Sequence, residues 1–77
     1  MKIGDKLTRL LAGIVPMEVI VGEITETEFK VSSGDGIIPV EHGWTFDRKT
    51  GAEIDHDLHW GPMYGITGSY IKDYKPD

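Results

Sequence analysis

The chain has 77 residues, no cysteine, and thirteen acidic against eight basic side chains, giving a formal net charge of −5. That length allows one domain, residues 1–77, with a single small core; the lack of cysteine excludes disulfides, thiolate catalysis and Cys-ligated zinc or iron–sulfur sites, and points to a reducing, cytoplasmic setting. The basic residues are scattered, with Arg48 and Lys49 the one adjacent pair, so the phosphate neutralisation that gives nucleic-acid binding its affinity is not expected.

The opening MKIGDKLTRL carries a charge at every third or fourth position and lacks an apolar h-region, so no signal peptide is expected. The longest apolar run, residues 10–17, contains Gly13 and Pro16 and falls far short of the ~20 residues a membrane-spanning helix needs. Glycines and prolines cut the rest into short pieces that alternate rather than recur at three and four, the pattern of short strands joined by turns.

A first strand is predicted over residues 6–11, with Leu7, Arg9 and Leu11 on one face and Thr8 and Leu10 on the other. Gly13 and Pro16 place a loop at 12–16. Residues 17–24 (MEVIVGEI) form the strongest strand, rich in β-branched residues, with Met17, Val19 and Val21 sharing a face. Gly22 suggests a bulge that turns Ile24 back inside. After a turn at 25–27, residues 28–32 return with Phe29 and Val31 inward. Pro39 argues against a central strand over 37–40, leaving an irregular loop or an edge strand. Trp44 and Phe46 share a face of the strand 44–47. RKTG then reads as a type I turn ending in a left-handed Gly51, with Asp47 accepting N–H groups across it. Residues 52–54 pair back and 69–74 close the fold. Five or six short strands, one of them strongly bent, predict an all-β small SH3-like barrel, with an OB-like barrel as the alternative. Phe29, Trp44 and Phe46 are the expected core aromatics.

IDHDLHWG, residues 54–61, gathers Asp55, His56, Asp57 and His59. Asp55, Asp57 and His59 are candidate metal ligands by residue type. In an extended strand, however, positions four apart are ~13 Å from each other, and in a helical turn the set lies on an exposed surface. The same letters describe a single short helical turn near 55–60. Asp55 is its N-cap, Asp57 faces the positive end of the turn, and Gly61 and Pro62 stop it. No metal or other cofactor is therefore expected on the leading reading, with a divalent-metal or small-ligand site at 55–59 as the alternative. Nor is catalysis: Glu53, Asp55 and Asp57 have no enclosed pocket in view, no nucleophile–base grouping occurs, and SGDGIIP runs into proline rather than into a phosphate-cradling helix.

HWGPMYG, residues 59–65, is too rich in large side chains for all of them to face inward. Trp60, Met63 and Tyr64, with Arg48 and Glu53, form the candidate partner-binding surface for a protein or peptide, either as an aromatic platform or as a lid on the barrel. Arg48 and Glu53 are read as a cross-strand ion pair or, with Arg9, as a polar contact surface. Leu10, Leu11, Ile14 and Val15 form a second apolar surface suited to self-association or to a partner.

The run GDKLTRLLAG, PMEV and WTFDRKTGAEIDHDLHWG resembles a group of small uncharacterised bacterial proteins over roughly residues 4–61. In that group a strand after Gly-Asp ends in Ala-Gly, a Met-x-Val strand follows, and a Trp-x-Phe-Asp-Arg…Thr-Gly-Ala-Glu-Ile-Asp hairpin comes next. At lower specificity the chain is similar to other tiny SH3-like bacterial proteins. Members of the first group usually carry Gly where this chain has His59, and that resemblance weakens a metal role for the residue. The resemblance implies a fold and brings no activity with it.

Overall fold

The computed structural model describes residues 1–55, 63–64 and 68–76. Within them the chain forms β1 (Lys6–Leu11), β2 (Val15–Ile24), β3 (Glu28–Ser33), β4 (Trp44–Asp47), β5 (Glu53–Asp55), β6 (Met63–Tyr64) and β7 (Tyr70–Ile71). All pairings are antiparallel, and the spatial order is β6-β5-β4-β3-β2-β1-β7. β7 joins the two ends of this sheet. It pairs with β1 through Arg9↔Ile71 and Leu10↔Tyr70, while Tyr70 also bridges Ala52 just before β5. The Glu53 N–H donates to the Ser69 carbonyl, and the Ile71 N–H to that of Gly51. The result is the expected all-β fold, a nearly closed small barrel compatible with both SH3-like and OB-like outlines.

Alternation along the strands places the core. Val19, Val21, Phe29, Val31, Phe46 and Ile71 form the buried cluster, and Leu7, Met17, Ile24, Trp44 and Tyr74 pack against it. Each fully buried apolar side chain contributes about 1.5–3 kcal/mol. Phe29 stacks on Phe46 with ring centroids 5.4 Å apart and on Tyr74 at 5.7 Å. The β2–β3 register shifts between Val21 and Glu23, so Gly22 does mark a bulge. The extra residue restores Ile24 to the inner face. At the β4–β5 connection, the Asp47 carboxylate accepts the Lys49 and Thr50 N–H groups, and Gly51 has φ 78°. The turn is the predicted one.

Two expectations change, and one pair of alternatives is decided. The β1–β2 connection is shorter than residues 12–16. Ala12 (φ 53°) and Gly13 (φ 76°) make a tight turn with the Ile14 N–H on the Leu11 carbonyl, and Pro16 lies inside β2 opposite Leu10. Pro16 is tolerated there because β3 begins its pairing only at Val19. The Gly34 N–H donates to the Glu18 carbonyl, so the backbone of Glu18 faces β3, and by alternation that of Pro16 faces the same, unpaired side. A missing N–H at an open edge removes a donor that nothing would satisfy, and it protects that edge from strand addition. Of the two readings of residues 37–40, the irregular loop holds and the edge strand does not: the loop is followed by a 3₁₀ turn, Val40–His42. The closing strand is only Tyr70–Ile71, because Asp73 (φ 55°) turns the chain and Tyr74 folds onto Phe29. Asp55 ends β5 opposite Met63. The rest of the predicted helical turn, residues 56–60, lies outside the described residues.

Candidate functional site

Antiparallel pairing fixes which parts of the chain share each end of the barrel. At one end lie the β1–β2 turn, the end of β3 with the loop after it, the starts of β4 and β7, and the end of β5. At the other lie the N-terminal residues, the β2–β3 and β4–β5 turns, and residues 72–76. The two ends differ in chemistry. Of the chain's eight Lys and Arg residues, Lys2, Lys6, Arg48, Lys49, Lys72 and Lys75 sit at the second end, Lys30 sits lower on β3 opposite Glu23, and Arg9 is buried. None reaches solvent at the first end.

Instead, the first end exposes apolar groups. Among the described residues the exposed large hydrophobic side chains are Ile3, Leu11, Ile14, Val15, Ile37 and Tyr70; all but Ile3 belong to this rim. The β1–β2 hairpin projects past the last β2–β3 pair, Val19↔Ser33. Leu11 and Val15 share its inner face, Tyr70 flanks its outer face, and Ile14, 79% exposed, forms the apex. Burial of such side chains gains free energy in proportion to the area covered.

Where β2 outruns β3 there is a notch of about 400 Å³ lined by Met17, Glu18, Ser33, Gly34 and Asp35. Glu18 and Asp35 are its charged groups. The Asp35 carboxylate accepts from the Ser33 hydroxyl (2.6 Å) and the Ile37 N–H (3.0 Å). The Ser33 bond first, then the Ile37 bond, holds it below the usual aspartate range. It is therefore a fixed anion.

Beneath the rim the barrel interior is polar. Arg9 and Glu53, 5% and 7% exposed, form an ion pair with the Arg9 Nε and Nη2 both 2.8 Å from Glu53 Oε1. The guanidinium lies 4.5 Å from the centre of the Trp44 ring, and its Nη1 approaches the Met17 sulfur at 3.8 Å. Arg9 faces inward because it alternates with Leu7 on β1; Glu53 does so because it pairs with the buried Phe46. Nearby, the buried Ser69 hydroxyl accepts the Ala12 N–H at 2.9 Å and ties the hairpin to the start of β7.

These positions separate the residues that the sequence grouped together. Glu53 is an interior partner of Arg9, so it presents no carboxylate to solvent and makes no pair with Arg48. Arg48 is at the opposite end of the barrel, where its guanidinium donates to the Thr25 carbonyl. Met63 and Tyr64 form the short β6 beside Asp55 and Ile54. Trp60, Asp57 and His59 lie outside the described residues. Among the described residues no three His, Asp or Glu side chains gather into a set that could hold a metal ion, and no helix is long and apolar enough to cross a membrane. Leu11, Ile14 and Val15 are exposed together, with Leu10 half-buried beside them. No family model, curated protein or solved structure matches this chain.

Proposed function

We propose that this chain is a non-catalytic interaction module that holds a protein partner on its apolar rim. The observation that carries the reading is the segregation of the surface: exposed apolar groups from the β1–β2 hairpin, the loop after β3 and β7 share one end of the barrel, while the exposed cations lie away from it. A cytoplasmic setting and kinship with the small bacterial group carrying the WTFDRKTGAEID hairpin are part of this reading, supported by the composition and by those motifs.

Ile14→Asp places a charge at an exposed apex that contributes nothing to the core. Affinity capture should recover a protein bound by the wild type and lost by the variant, with both chains melting at the same temperature. Identical capture by the two chains would remove the rim from the function.

A further inference from the structure

We infer that the partner contacts this rim through an apolar segment carrying a Lys or Arg, whose apolar side chains cover Leu11, Ile14 and Val15 and whose cation enters the Glu18–Asp35 notch. The inference rests on the rim being the binding surface and goes on to name the chemistry of what binds.

Three features of the rim select that chemistry. The hairpin tip is uncharged from Leu10 to Met17, so its contact is apolar. Its fixed charges are negative: Glu18 and Asp35 line the notch, and no Lys or Arg is exposed at this end to neutralise them. The notch itself has the chemistry of a Lys or Arg pocket, with the Met17 side chain for a methylene stem and carboxylates for the charged head. The Asp35 carboxylate is anchored by Ser33 and the Ile37 N–H, so little ordering is required when a cation arrives.

The same features discriminate against other occupants. A second copy in a face-to-face pairing would set acidic notch against acidic notch. An anionic lipid surface or a nucleic acid would meet an anionic rim on a chain of net charge −5. Addition of a strand along the open side of β2 is impeded by Pro16, which has no N–H to give. A basic, apolar protein segment is the occupant that satisfies both the greasy tip and the anionic notch.

The test uses two fluorescein-labelled synthetic peptides with the same apolar residues, one flanked by lysines and the other by glutamates, titrated against the full chain by anisotropy. The lysine peptide should bind at least about tenfold more tightly, since facing like charges are repulsive, and added salt should weaken it. Glu18→Lys should invert the preference. Asp35→Asn keeps the acceptor for Ser33 and Ile37 but removes the charge, and it should narrow the preference without loosening the loop. Ile14→Asp should abolish binding of both peptides. Equal binding of the two peptides, still lost in Ile14→Asp, would overturn the cationic partner while leaving the rim as the binding surface. Binding of neither peptide, with self-association that Ile14→Asp removes, would replace the partner with a second copy. Binding of neither peptide by a monomeric chain, or binding to phosphatidylserine vesicles instead, would overturn the rim as a protein-binding surface altogether.

Discussion

Glu53→Ala is the sharpest perturbation of this fold. It removes the carboxylate that accepts two guanidinium N–H groups at 2.8 Å and leaves Arg9, 5% exposed, between Trp44 and Met17. Deleting one member of a buried pair costs about 3–5 kcal/mol, because the surviving charge stays desolvated. The Trp44 ring offsets only part of this, as a desolvated cation–π contact contributes about 2 kcal/mol. A domain of this length has about 4–12 kcal/mol of total stability, so the loss would take a large share and could unfold it. Glu53→Gln should cost less, since its amide oxygen still accepts from the guanidinium. The double variant Arg9→Met/Glu53→Leu should lie near the wild type or up to about 1–4 kcal/mol above it, because an apolar pair needs no desolvation. Urea unfolding followed by far-UV circular dichroism would give all three values and, with the single variants Arg9→Met and Glu53→Leu, a double-mutant coupling energy. A loss below about 1 kcal/mol for Glu53→Ala, or additivity of Arg9→Met and Glu53→Leu, would refute the idea that this pair is buried and coupled.

Gly43→Ala should be among the most damaging glycine replacements, since a Cβ there would fall 1.8 Å from the Val31 carbonyl oxygen and force β4 away from β3; a thermal melt that stays within about 2 °C of wild type would contradict it. Gly51→Ala combines φ 78° with a Cβ 2.6 Å from the Tyr74 ring, and it should lose about 1–3 kcal/mol in urea unfolding. Asp47→Ala leaves the Lys49 and Thr50 N–H groups without their acceptor and should cost about 1 kcal/mol by the same measurement. Asp35 has its folded pKa depressed, so its stabilising effect is present above the ordinary aspartate range and fades as pH falls through the lowered value. An NMR titration should find its midpoint below that of a free aspartate and rising in Ser33→Ala; an unchanged midpoint would show that the Ser33 hydroxyl does not hold it.

Local letters revealed most of the barrel, because strand alternation and turn chemistry act over a few residues. Gly22 is the clear example: one glycine in a β-branched run announced both the bulge and the inward return of Ile24. Asp47 and Gly51 announced their turn in the same way. Pro16 was misleading, since what permits proline in a strand is the absence of a neighbour on one side, and that depends on where β3 ends. For the polar interior a usable signal existed. Arg9 alternates with Leu7, and Glu53 follows a turn that sets it opposite Phe46, so opposite charges sat at inward positions on two strands. Arg48 beside Glu53 in sequence was the more obvious pairing, but the hairpin sends Arg48 to the far end. The notch between Glu18 and Asp35 left no trace, because it exists only where β2 outruns β3.

The decisive measurement is a ¹H–¹⁵N NMR titration of the full chain with the lysine-flanked peptide. Amide shifts should concentrate at Leu11, Ile14, Val15, Glu18 and Asp35, while Lys49 and Lys72 at the opposite end stay unmoved. Shifts confined to that opposite end, or none anywhere at saturating peptide, would contradict an apolar, anionic rim as the working surface of this protein.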